Sequence, residues 1–335
     1  MSENIRIQDQ SRQSWLKKLF KIQEVNVLLP LLALVIIATA INPGFWEGAN
    51  IPIIMRRMAM WGFVAIGETL IILVGEIDIS VGAMTAFVGV LFSILMANFG
   101  WPLYLAIAAV VLSAMALSIF SGFCIVKLKL SAFITTIAMQ FICLGAAKAL
   151  TDARPVSLLK TEAAQGLIHF GQSEPLGLSW GFFMFALLII AGQIMLKRTA
   201  FGRQIYATGD NKNAARLAGV RVDFVKIAVF AISGILVGIA GVMLIGKEAV
   251  GNANNADGWE LLAIASAAIG GISLVGGAGS MIGAFIGMVM MQVISNILIL
   301  LNVNQHMQSV LLGIFLVSSV FMDIRRRNKL LGKLD

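Results

Sequence analysis

Residues 197–226 read KRTAFGRQIYATGDNKNAARLAGVRVDFVK, and the reading of this stretch decides the fold. It is the one long polar island among apolar runs that are each long enough to cross a bilayer. It carries seven of the chain's Lys and Arg residues. Thr208-Gly209-Asp210-Asn211 is expected as a turn in which Asp210 or Asn211 caps the helix that follows. Residues 213–217 are alanine-rich and helix-prone, and Gly219 supplies a stop. Two readings of the island stay open. It is either a short, stiff, basic helix held out for another protein to grip, or a cytoplasmic loop kept inside by its positive charge.

On both sides of the island the chain is apolar. Of 335 residues, 59% are hydrophobic and only 13% charged, about half the charged share of a soluble domain. Mean hydropathy is +0.91. Ten apolar spans are expected, near 26–42, 51–74, 81–98, 102–125, 131–150, 179–196, 227–246, 259–275, 280–301 and 307–322. The fold class is therefore all-α: a polytopic helical membrane protein with one transmembrane domain, 26–323. Residues 1–25 and 324–335 are its tails, and 197–226 is its polar loop. With the N-terminus inside and the spans alternating, nineteen of the 25 Lys and Arg fall on the inner side. That bias puts both termini and the island in the cytoplasm. Arg56 and Arg57, near the outer end of the second span, are exceptions that either snorkel outward or face an aqueous vestibule. Residues 15–21 read as a short helix lying on the inner membrane face or as a plain basic flank. The net charge of +8 follows this topology, so nucleic acid is not implied as a partner. The polar N-terminus lacks the pattern of a secretory signal peptide.

Two glycine-rich stretches interrupt the spans: Gly75-Glu-Ile-Asp-Ile-Ser-Val-Gly82 and Gly270-Gly-Ile-Ser-Leu-Val-Gly-Gly-Ala-Gly279. Both are expected at inner-side junctions, as helix breaks or as points of close backbone packing. A gapped alignment between them leaves an internal repeat open. Gly279, Gly283 and Gly287, spaced by four, read as a small-residue packing face.

Ionisable residues at membrane depth are costly, which singles out Glu68, Glu76, Asp78, Lys148 and Glu260. Glu68 either lines a polar pathway or pairs with a neighbouring polar group. Asp78 is expected to cap the next helix near Ser80, and Glu260 suits a helix N-terminus. Lys148 is placed to snorkel. The amides Gln140, Asn252, Asn254, Asn255, Gln292, Asn296 and Asn302 either hydrogen-bond a neutral, hydroxyl-rich solute or join helices. Glu68, Glu76, Asp78, Gln140, Gln292 and Asn296 are the candidate translocation-pathway residues. The acids share no helix face and no intramembrane histidine accompanies them. An ion-coupled carrier using Glu68 or Asp78 is accordingly the alternative rather than the leading reading.

Catalytic and metal-ligating sets are not apparent. Cys124 and Cys143 lie in apolar spans, and His169 and His306 are far apart. There is no Gly-rich phosphate loop with Lys-Ser/Thr, so ATP-driven transport needs an ATPase in another chain. ATP and Mg would belong to that chain, and no cofactor is expected in this one.

The stretches GEIDISVG (75–82), TAFGRQIYATGDNKNAARLAGV (199–220) and GGISLVGGAGS (270–280) resemble, in the same order, the permease subunits of bacterial ribose/xylose/autoinducer-2 ABC importers. The resemblance covers nearly the whole chain after residue 25. It implies a type II-like permease bundle in the bacterial inner membrane. It also implies an assembly of two permeases and two ATPases, fed by a periplasmic sugar-binding protein. Residues 199–220 would contain the coupling helix that docks on the ATPase, with Gly202, Arg203, Gly209, Asn211, Ala214, Ala215, Arg216 and Gly219 in the motif. The implied mechanism is alternating access for a pentose, hexose or similar polyol-like solute. Glu76 departs from the pattern, since many relatives carry glycine there.

Overall fold

A computed structural model describes residues 23–48, 50–304 and parts of 307–321. The first nine expected spans each contain a helix. In chain order these are α1 (Gln23–Ile41), α2 (Asn50–Leu73), α3 (Val81–Ala97), α4 (Leu103–Val126), α5 (Ala132–Ala149), α7 (Trp180–Arg198), α10 (Val222–Glu248), α11 (Trp259–Ile269) and α12 (Met281–Leu300). Between them lie α6 (Gln165–Gln172), α8 (Ala200–Asp210) and α9 (Lys212–Leu217). The tenth span is described only in part. Residues 1–22, which include the segment 15–21, His306 and the tail 324–335 lie outside the described residues.

Helix α10 is the axis of the bundle. It is the longest helix, with 27 residues, and it packs against α2, α3, α4 and α6. Glycines let its neighbours approach. A Cβ on Gly234 would meet the Ala114 carbonyl oxygen at 2.7 Å, and one on Gly238 would meet the Val111 Cα at 2.7 Å. This small-residue contact holds α4 against the axis, in a solvent where apolar side chains gain nothing by leaving lipid. Helices α4, α5, α7, α10 and α12 are each long and apolar enough to cross a bilayer alone. The outer faces of α4 and α5 remain exposed at Leu105, Leu112, Phe120, Phe133 and Phe141, as lipid-facing helices require.

The structure corrects the eighth expected span. The eighth span, expected to reach residue 275, ends at Ile269, where Gly271 takes a left-handed φ of 79°. Its 11 residues rise about 16 Å, roughly half a bilayer core of about 30 Å. The connector before it, 250–258, is not simply an outer loop. It runs down beside α3, where a Cβ on Gly251 would lie 2.5 Å from Ser93 Oγ, and Ala253 and Ala256 are buried. The segment 151–178 is ordered. Val156 pairs antiparallel with Gly251 in a two-stranded ladder of β1 (Val156–Ser157) and β2 (Val250–Gly251), and Leu167 and Ile168 of α6 are buried.

Candidate functional site

Two junctions concentrate the unusual residues. The first lies within the bundle, level with the middle of α10. Gly67 of α2 packs on Ser233, near the centre of α10, and Glu68 follows it. After Leu73 the chain turns at Gly75 (φ 80°) and runs back upward without helical structure to Ser80, where α3 begins. Glu68 Oε1 accepts the Asp78 N–H at 3.1 Å, which ties the returning strand to the helix it has just left. Asp78 Oδ1 in turn accepts the Ser80 N–H at 2.8 Å and the Ser80 hydroxyl at 2.5 Å. Asp78 therefore serves the start of α3, as expected from the sequence. Glu68 and Asp78 are both fully buried, and Glu68 Oε2 and Asp78 Oδ2 have no hydrogen-bond partner among the described residues.

The second broken helix enters from the opposite side and meets the first. Glu260 stands in the first turn of α11, and a Cβ on Gly82 would lie 2.1 Å from Glu260 Oε2 and 2.8 Å from the Ala256 carbonyl. Helices α3 and α11 thus meet N-terminus to N-terminus, with carboxylates at their positive ends. The geometric counterpart of 75–82 is accordingly 250–260.

The second junction is at the end of the bundle that carries the polar island, where the island meets both glycine stretches, the end expected to face inward. Thr199 caps α8 by accepting the Gly202 N–H at 3.0 Å. A Cβ on Gly202 would strike the Met195 and Leu196 carbonyls at 2.4 Å, so this glycine allows the sharp elbow between α7 and α8. The expected turn at 208–211 is a correction. Thr208, Gly209 and Asp210 form the last turn of α8, because Ile205 and Thr208 bury one face of an 11-residue helix. Of the two candidate caps, Asn211 is the one used, its Oδ1 accepting the N–H groups of Asn213 and Ala214, both at 3.0 Å. Helix α9 ends as expected at Gly219 (φ 84°), with the Val220 N–H bonded to the Ala215 carbonyl at 3.0 Å.

Gly209 is half-buried and packs against backbone. A Cβ there would lie 1.9 Å from the Leu73 carbonyl and 2.5 Å from Gly277 N. The Gly277 N–H donates to that same Leu73 carbonyl at 3.0 Å. A Cβ on Gly276 (φ 96°) would lie 2.7 Å from Gly75 N. The Tyr206 hydroxyl donates to the Gly279 carbonyl at 2.9 Å. The end of α2, the end of α8 and the loop between α11 and α12 are therefore knotted main chain to main chain. Helix α9 hangs from this knot with Ala215 buried, Ala214 and Arg216 exposed, and Leu217 91% exposed; Arg203, on α8, is exposed too.

The remaining candidates are scattered. Glu76 is half-buried and ion-paired with Lys226. Gln292 accepts the Trp61 indole N–H at 3.2 Å, and Asn296 and Asn50 exchange two hydrogen bonds, at 2.7 and 3.1 Å. These amides join α12 to α2. Gln140 is half-buried on α5. Asn252 and Asn255 bond within their own turn, to the Asn254 N–H and the Val250 carbonyl. Arg56 pairs with Glu174, while Arg57 and Lys148 are exposed. Gly283 and Gly287 do form a packing face, against the Gly270 carbonyl at 2.4 Å and the Ser266 carbonyl at 1.9 Å. Gly279 does not share that face, lying before α12 at φ 135°. Sequence reasoning missed Ser233 and Leu217. For Leu217 a signal existed, a leucine on a basic, otherwise alanine-rich helix.

Residues 50–320 match the family described as branched-chain amino acid transport system / permease component. The chain belongs to this permease family. It is 31% identical over 306 residues to the ribose import permease protein of Escherichia coli (strain K12), covering 91% of this chain and 95% of that protein. It is 33% identical over 304 residues to the ribose import permease protein of Bacillus subtilis (strain 168), covering 91% and 94%. It is 30% identical to the xylose transport system permease protein of Escherichia coli (strain K12), covering 91% and 93%. The permease is a multi-pass membrane transport component and not an enzyme. The ion-coupled carrier is not favoured.

Proposed function

We propose that this permease is the membrane-spanning subunit of an ATP-driven importer for a monosaccharide, a pentose, hexose or similar polyol-like solute. It works with a separate ABC ATPase that holds ATP and Mg, a periplasmic sugar-binding protein and a second permease copy. It resides in the bacterial inner membrane with both termini in the cytoplasm, as the inward bias of Lys and Arg favours. Relatives named for ribose and xylose support the substrate class.

The observation that carries the mechanism is the seat of α9. A short, capped helix with an exposed leucine is fastened through Gly209 to the end of α2 and to the loop that follows α11. Movement of an ATPase bound to α9 would therefore displace both broken helices together, which is what rigid-body alternation of access needs. The solute undergoes no covalent step. Reconstituted in liposomes with its ATPase and binding protein, the permease should accumulate labelled pentose or hexose only with ATP. Leu217→Asp should weaken ATPase association at least tenfold and leave the melting temperature unchanged, because that side chain touches almost nothing. Uphill sugar uptake by the permease alone, or undiminished association of Leu217→Asp, defeats the reading.

A further inference from the structure

A cleft of about 490 Å³ opens beside α9, next to the second junction. Its charged lining is Glu76, Lys129, Lys212, Arg216, Asp223 and Lys226, four cations against two anions. Both anions are already engaged. Glu76 pairs with Lys226, and Asp223 holds Arg216 at 2.8 Å and Lys127 at 3.2 Å. Lys129 and Lys212 make no ion pair among the described residues. Lys129 is also held at a left-handed φ of 56°, costly for a non-glycine residue, which sets its loop against the cleft.

The cleft lies where α4 ends and where α5 and α10 begin, at the level where the membrane gives way to water. Neither α5 nor α10 has a side-chain cap at its N-terminus, so both positive helix ends add to the basic lining. Leu130 lines the cleft and is itself exposed, as are Leu128, Phe133 and Phe224 nearby in sequence. A volume of this size suits a small ligand. A basic, polar cleft joined to a bare apolar surface matches an amphiphile whose anionic head enters the cleft while its chains stay in the bilayer.

We propose that this cleft binds the phosphate headgroup of an anionic phospholipid, which braces α9 against the α4–α5 loop. That the lipid comes from the inner leaflet rests on the orientation proposed above; the binding itself does not. The test compares the full-length permease with Lys129→Gln/Lys212→Gln and with Ser131→Asp, using native mass spectrometry after mixing with phosphatidylglycerol or phosphatidylcholine. The wild type should retain phosphatidylglycerol at least tenfold over phosphatidylcholine. Both variants should lose that preference, and millimolar glycerol 3-phosphate should not displace the lipid. Equal retention of the two lipids by the wild type, or an unchanged preference in both variants, overturns the proposal. Displacement by glycerol 3-phosphate also overturns it, since it would make this a site for soluble anions.

Discussion

At the membrane midplane Gly82 leaves its Cβ space to the Glu260 carboxylate, whereas at the inner face Gly75, Gly209, Gly276 and Gly277 leave theirs to backbone. The first arrangement brings a flexible side chain against a helix. The second brings peptide units from three segments into direct contact. A carboxylate can change rotamer when its neighbours shift, but a main-chain contact has no side-chain freedom to absorb movement. The inner knot is therefore suited to passing displacement on undiminished. The midplane junction is suited to accommodating it, since the Glu260 side chain fills the space beside Gly82. Glycine serves opposite mechanical purposes at the two levels of one bundle.

The largest effect should come from filling the inner knot. Gly209→Val places a branched side chain where even a Cβ lies 1.9 Å from the Leu73 carbonyl, so Leu73 or Gly277 must move. Overpacking commonly costs about 1–3 kcal/mol, and contact with backbone puts this site at about 3. ATP-dependent uptake should fall at least a hundredfold, with a lower melting temperature in detergent. Gly82→Ala, by contrast, presses on the Glu260 side chain as well as the Ala256 carbonyl and should retain more transport. If uptake shows the reverse order, with Gly82→Ala the more damaging, the contrast between the two junctions is wrong.

A smaller effect separates the roles open to Glu68. Its Oε1 accepts the Asp78 N–H at 3.1 Å inside a fully buried site. Glu68→Gln keeps an acceptor there, whereas Glu68→Leu leaves that buried N–H unsatisfied, at a cost of about 2 kcal/mol. Thermal unfolding should rank the wild type and Glu68→Gln together, with Glu68→Leu clearly below. Uptake by Glu68→Gln should stay within a few-fold of the wild type. Abolished uptake in a stably folded Glu68→Gln would instead give the carboxylate a transport role of its own.

Much of this architecture was legible in the sequence, and the gaps have physical reasons. The apolar runs located nine helices because a bilayer core sets their length, and the cap at Asn211 and the stop at Gly219 are local chemistry. The short α11 was hidden because residues 270–275 remain apolar after the helix has stopped, and hydropathy does not register a left-handed glycine. Helix α8 was read as a turn because Gly209 and Asp210 look like turn residues, whereas burial of Ile205 and Thr208 decides the matter. The meeting of Gly75, Gly209 and Gly276 left no local trace at all, since contacts between segments so far apart are set by packing. Among the ionisable residues at membrane depth, the sequence marked Glu68, Asp78 and Glu260 as unusual but gave no sign that they gather at one junction.

The smallest effect concerns the ion pair that links the two levels. Glu76 begins the strand climbing from the inner knot to the midplane, and Lys226 stands one turn into the axial helix α10. Their side chains are only 16% and 12% exposed, which alone would suggest a costly loss on breaking the pair. Both, however, line a cleft that opens to water, so a released Lys226 ammonium can turn toward solvent instead of remaining buried and unpaired. The coupling energy from a Glu76→Gln and Lys226→Gln double-mutant cycle should therefore be about 1 kcal/mol, near the upper end for exposed pairs. It should also shrink as salt is raised, because screening reaches a pair that faces water. A coupling of several kcal/mol, insensitive to salt, would place Glu76 with the buried carboxylates of the midplane and move the boundary between the two levels inward by one strand.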